Sequence, residues 1–241
     1  MFKYGKRLLT VLLVCLSPAM SAWAGHWAVA PEEVQITGGL SNQRWVEDDG
    51  SYASDCIVWL DPEETGSYAC YTFNKEGYLW AGTTRYGTKF DGEGRRLLAS
   101  GQVDQVLVPR DTAVIALDNY TVTLPDNWVN HFCYRKDEKS KRILSVYFFP
   151  LARSSYRGRL QNSVFQTMFM ILQFKDEASM EKERREGMVE GWRYLGRAGG
   201  KLLVYGQRTD TAAGLFNEEQ KAQIEAMQDT LDPAKLIGGL E

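Results

Sequence analysis

Cys56-Ile57-Val58-Trp59-Leu60, a polar loop containing Pro62 and Gly66, and then Tyr68-Ala69-Cys70-Tyr71-Thr72-Phe73 form the stretch on which the fold turns. Two β-branched and aromatic runs separated by turn residues make an antiparallel hairpin. Symmetry about Glu63 places Cys56 opposite Cys70. Directly opposed Cα atoms lie about 4.5 to 5.5 Å apart, within reach of a disulfide, so a Cys56–Cys70 bridge is expected. The sequence does not fix the register of the pairing, so other registers stay open.

Outward from this hairpin, residues from about Gly38 to Gly101 carry turn signals at short intervals: Asp48-Asp49-Gly50, Glu64-Thr65-Gly66, Lys75-Glu76-Gly77, Tyr86-Gly87 and Glu93-Gly94. Glycine supplies the positive φ of tight turns, and the aromatic segments between them pair across strands. Residues 25–108 therefore read as a series of short hairpins, which bury little alone and must stack on something.

Beyond a connection at Val103 to Ala116 the pattern changes, placing a domain boundary near Pro109 and a second domain over 109–241. Tyr120 to Leu124, Ile143 to Phe149, Val164 to Phe174 and Lys201 to Arg208 read as strands. Asp176 to Met188 reads as a surface helix. Asn217 precedes Glu218, Glu219 and Gln220, a capping box at the head of a helix with Ile224, Met227 and Leu231 on one face. Asp232-Pro233 ends it. The expected class is α+β, with an α/β sandwich of helices on a mostly antiparallel sheet in the second half. Trp128, after Pro125, is expected to cap the sheet edge as a packing residue.

At the start of the chain, Lys3, Lys6 and Arg7 precede the apolar run Leu8 to Met20, which ends in Ala22-Trp23-Ala24. That pattern marks residues 1–24 as a signal peptide cleaved after Ala24. The run is too short to span a bilayer, so no transmembrane segment is expected. Cys15 follows Val14, which does not suit lipidation. The mature chain then has 25 basic and 31 acidic residues, a net charge of -6. Nucleic acid is an unsuitable partner for so acidic a protein. Cys56, Cys70 and Cys133 enter an oxidising compartment where disulfides persist.

Trp45 to Tyr52, Trp59-Leu60-Asp61, Cys70 to Leu79, Thr83 to Gly87 and Asp91 to Gly94 resemble the cell-wall-binding, choline-binding-type hairpin repeats of Gram-positive surface proteins. The resemblance implies a β-solenoid-like repeat unit over residues 40 to 100, with ligands held in aromatic cages. A quaternary ammonium cannot hydrogen-bond and is held by cation–π attraction. Trp45, Trp59 and Tyr71, with Tyr78, stand where cage rings would come from. The chain has room for only about two such units, and Gln43-Arg44 replaces a small residue before Trp45. The other reading of these rings is plain packing in a thin β structure, the hairpins then being a structural platform with no wall ligand. Tyr120 to Trp128 followed by Val146-Tyr147-Phe148 is similar to the opening of PsbP-like domains, which implies a non-enzymatic α/β domain.

Catalytic signatures are scarce: no zinc-protease, nucleophile-elbow, phosphate-loop or Cys-x-x-Cys motif occurs. No cofactor or metal is implied. The mature histidines are His26, near the new terminus and expected to be unordered, and His131, two residues from Cys133. A thiol beside an imidazole is the minimum for a small secreted cysteine hydrolase, which is the enzymatic alternative. Lys136 to Arg142 is a mixed-charge, largely basic loop, and Arg153, Arg157 and Arg159 form a second basic cluster; either suits an anionic polymer or a solvated surface. The sequence thus reads as a secreted, cell-surface-associated, non-enzymatic binding protein for a wall polymer or a choline-like group.

Overall fold

The computed structural model describes residues 25–31, 38–149, 159–161, 166–186, 191–207 and 216–238. The expected signal peptide, Arg153 and Arg157 lie outside them. In chain order the strands are β1 His26–Val29, β2 Gln43–Val46, β3 Cys56–Leu60, β4 Ser67–Phe73, β5 Thr84–Arg85, β6 Thr88–Phe90, β7 Arg96–Leu97 and β8 Gln105–Leu107. They continue with β9 Val114–Ala116, β10 Thr121–Thr123, β11 Phe132–Lys136, β12 Arg142–Phe148, β13 Arg159–Gln161 and β14 Gln166–Phe174. Helix α1 Glu177–Arg185 follows, then β15 Arg193–Ala198, β16 Lys201–Gln207, helix α2 Glu218–Thr230 and β17 Ile237–Gly238.

Among the described residues, nine strands form one antiparallel sheet in the order β13-β3-β4-β8-β11-β12-β14-β16-β15. Three small sheets surround it: β1-β2, β5-β6-β7 and β17-β10-β9. The class is α+β, rich in antiparallel sheet. The compositional change near Pro109 does not interrupt the sheet, since β8 and β11 pair there through Leu107 and Tyr134. Strands β3 and β4, from the hairpin-rich half, belong to the same hydrogen-bonded sheet as the long strands of the second half. His26, expected to be unordered, lies in β1 opposite Val46.

The hairpin β3-β4 forms, but not in the symmetric register. Cys56 lies opposite Phe73, and Cys70 lies opposite Trp59. The cause is Asp61, which is buried and organises the loop. Its carboxylate accepts from the Gly66 amide at 2.6 Å and the Thr65 hydroxyl at 3.1 Å, and its carbonyl accepts from the Glu64 amide at 3.1 Å. Gly66 has φ 88°, and a Cβ there would lie 2.7 Å from the Val108 carbonyl oxygen, so only glycine fits. The turn therefore centres beyond Glu63, and Cys70 sits three positions from the place opposite Cys56. An odd offset sends the two side chains to opposite faces of the sheet. The expected Cys56–Cys70 disulfide is absent: Cys56, Cys70 and Cys133 form no disulfide among the described residues.

Period-two alternation builds four cores on the two faces. On one face, Trp45, Val58, Leu60, Tyr71, Phe73 and Leu79 cluster over β3 and β4. Farther along that face, Val146, Phe148, Phe169, Ile171 and Tyr205 meet Ile115, Val122, Ile224 and Met227, so α2 and the β9-β10 hairpin cover it. On the opposite face, Trp59, Cys70, Val106, Cys133 and Phe149 cluster together. Met170, Leu172, Phe174, Leu202 and Val204 pack there with Met180 of α1 and Trp192.

Both helices begin as their sequences specify. Asp176 accepts from the Ser179 amide at 2.8 Å, and Asn217 accepts from the Gln220 amide at 2.8 Å while Gln220 answers at 3.0 Å. Trp128 does not cap an edge. It is fully buried, edge-on to Phe169 of the central strand β14, and its indole N–H donates to the Met227 carbonyl at 2.9 Å. It thereby ties the C-terminal part of α2 to strand β14 of the sheet. No helix among the described residues is long and apolar enough to cross a membrane.

Candidate functional site

The rings proposed for an aromatic cage do not converge. Trp45 and Tyr71 share one core, 0% and 8% exposed, where Trp27 packs edge-on against both at 5.3 and 5.2 Å between centroids. Trp59 is 3% exposed and belongs to the other face of the sheet, because alternation turns it away from Val58 and Leu60. Tyr78 is half-buried and carries the Arg44 guanidinium over its ring at 4.7 Å, with Tyr52 on the same guanidinium at 3.8 Å. The Arg44 group is fixed by donation to the Glu76 carbonyl.

The hairpin-rich half does present a cavity, lined by other residues. Leu79 turns inward against the core, so its neighbour Trp80 turns outward. Trp80, Phe73, Phe90, Ile57, Arg85 and Tyr86 line a cavity of about 630 Å³, within the ~300–1,000 Å³ range of small-molecule sites. Arg85 spans two rings at its mouth, 5.0 Å from the Trp80 centroid and 4.4 Å from that of Tyr86, and its guanidinium donates to the Tyr86 hydroxyl at 3.0 Å. No carboxylate forms an ion pair with Arg85 among the described residues.

Tyr86 is 89% exposed and has φ 48°, followed by Gly87 at 77°. The two residues join Arg85 to Thr88 as the two-residue turn between β5 and β6. Two successive positive φ values are the demand of a type I′ turn, which Asn-Gly meets best. A tyrosine held there costs about 1 kcal/mol or more and leaves a large ring in solvent. The sequence signal was present in Tyr86-Gly87, but a turn reading attends to the glycine and passes over the ring beside it.

The enzymatic alternative requires Cys133 and His131 to act together. Cys133 lies in the apolar cluster with Trp59, Cys70, Val106 and Phe149, and burial holds its thiol well above the usual cysteine range. Burial also lowers the His131 pKa. No hydrogen bond joins the two side chains among the described residues. A protonated, enclosed thiol is a poor nucleophile. No group of three or more His, Cys, Asp or Glu side chains placed to hold a metal occurs among the described residues. The basic loop Lys136 to Arg142 is the turn between β11 and β12, and Arg159 lies on β13.

Searches of family models, of curated proteins and of solved structures return no match to this chain, so neither the hairpin-repeat nor the PsbP-like resemblance gains support from them.

Proposed function

We propose that the protein is a secreted, non-enzymatic binding protein of the bacterial cell envelope, and that it holds a wall polymer in the cavity of Trp80, Arg85 and Tyr86. The observation that carries this reading is Tyr86: a tyrosine kept at a strained, exposed turn position and stacked on an arginine at the mouth of an aromatic cavity. Strain retained beside a cavity supports a binding role. Trp45 and Tyr71, by contrast, are fully engaged in packing, which favours the platform reading for that part of the hairpin region.

A choline-like ligand fits this site less well than an uncharged or anionic polymer. The faces of Trp80, Tyr86, Tyr52 and Tyr78 already carry a guanidinium from Arg85 or Arg44. A second cation on those faces meets like charge, whereas sugar rings and anionic groups meet aromatic faces and N–H donors. The test is co-sedimentation of the purified protein with isolated Gram-positive cell walls, with and without choline. Retention that choline does not release supports the proposal. Release by choline at low concentration returns the site to a quaternary-ammonium cage, and absence of retention removes the wall from the account.

A further inference from the structure

A second cavity, of about 450 Å³, lies on the sheet face that carries α1. Its walls include Arg135, Asp137, Arg142, Ser145, Leu172 and Trp192. Strand β12 is apolar through its middle at Ile143, Leu144, Val146 and Phe148, yet Ser145 interrupts it. Ser145 is 3% exposed and stands opposite Arg135 on β11 and Met170 on β14. Its hydroxyl has no hydrogen-bond partner among the described residues. A small polar residue at this point of an interior strand leaves room for the cavity and sets a hydroxyl in its wall.

The charges around the cavity sort into satisfied and unsatisfied. Lys141 pairs with Glu183 of α1. Arg135 gives one N–H to Asp104 at 3.1 Å, which leaves most of its five donors for other use. Arg142 forms no ion pair among the described residues, and neither does Asp137. One carboxylate oxygen of Asp137 and the Trp192 indole N–H are buried without partners. The lining thus offers a carboxylate without an ion pair, guanidinium donors and a hydroxyl, together with apolar surface from Leu172 and the Trp192 ring.

We propose that this cavity binds a free α-amino acid. The ammonium group goes to Asp137, the carboxylate to Arg142 and Arg135 with the Ser145 hydroxyl, and the side chain lies against Leu172 and Trp192. A simple anion would leave Asp137 unanswered, and a simple cation would leave Arg142 unanswered; a zwitterion answers both. This cavity shares no lining residue with the aromatic one, and Asp104 bonds one lining arginine of each.

The test is a thermal-shift screen of the purified protein against the free protein amino acids, followed by calorimetry of the best ligand, its N-acetyl derivative and its amide. The free amino acid is expected to bind, and each derivative to bind about tenfold or more weakly, because each loses one charge-assisted contact. Ser145→Val removes the hydroxyl and narrows the cavity, and is expected to weaken binding about tenfold or more. Asp137→Asn and Arg142→Gln, which leave the cavity open, are expected to weaken it by a similar factor to the matching derivative. No response to any amino acid overturns the proposal. Equal binding of the N-acetyl form overturns it too, and reassigns the cavity to a plain anion.

Discussion

Arg96 and Arg135 grip the two oxygens of a single buried carboxylate. Arg96 holds Asp104 Oδ2 through Nη2 at 2.6 Å and Nε at 2.8 Å, and Arg135 Nη1 reaches Oδ1 at 3.1 Å. Asp104 is also locked by its backbone, accepting from the Cys70 amide at 3.0 Å and donating to the Arg96 carbonyl at 2.8 Å. Arg96 lines the aromatic cavity and Arg135 lines the second one. One carboxylate therefore positions an arginine in each. Asp104→Asn removes the charge that two guanidinium groups share and is expected to destabilise by about 3 kcal/mol, the low end for a broken buried pair because both arginines keep some solvent. Thermal unfolding measures it; a loss below about 0.5 kcal/mol would mean that solvent screens the pair as at a surface.

Tyr86 gives a prediction in which stability and binding move oppositely. Asparagine accepts the left-handed conformation at this turn, so Tyr86→Asn is expected to raise stability by about 1 kcal/mol. The same change removes the ring that Arg85 stacks on, so retention by cell walls is expected to fall. Denaturant unfolding and co-sedimentation of the same variant check both halves. Unchanged retention would disconnect the strained ring from binding.

The three thiols should differ in reactivity. Burial pushes Cys70 up to about 12 and Cys133 well above the ordinary range, whereas Cys56 is half-buried beside the aromatic cavity. Alkylation of the folded protein near neutral pH is expected to label Cys56 first, with Cys70 and Cys133 reacting only on unfolding. Fast labelling of Cys133 would revive the hydrolase reading.

His131 makes stability depend on pH with a defined sign. Burial lowers its folded pKa below the usual 6.5, so the unfolded chain binds the proton more readily. Its contribution is complete above pH 6.5 and is lost as pH falls through and below that value towards the folded pKa. His131→Gln is expected to flatten the pH dependence of the melting temperature in that interval. An unchanged slope would show that other groups carry it.

Local signals in the sequence translated into structure where one residue decides the outcome. Asn217 and Asp176 head their helices, and the long strands of the second half appear within a residue or two of their expected ends. What was not legible depended on partners distant in sequence. The register of β3 and β4 follows from the buried Asp61 carboxylate gripping Gly66, a contact no alternation pattern contains. Because strand side chains alternate, that register decided which rings could meet: Trp59 left the group of Trp45 and Tyr71, and the expected disulfide vanished with it. The joining of both halves through Leu107 and Tyr134 was equally hidden, since a composition change reads as a boundary even where strands pair across it.

The most direct test of the account is wall retention of Trp80→Ala beside the unaltered protein. Trp80 lines the aromatic cavity while Leu79 holds the hairpin core, so the variant is expected to unfold as cooperatively as the parent and to lose its retention. A folded Trp80→Ala protein that sediments with cell walls as fully as the parent would contradict the assignment of the cavity as the binding site.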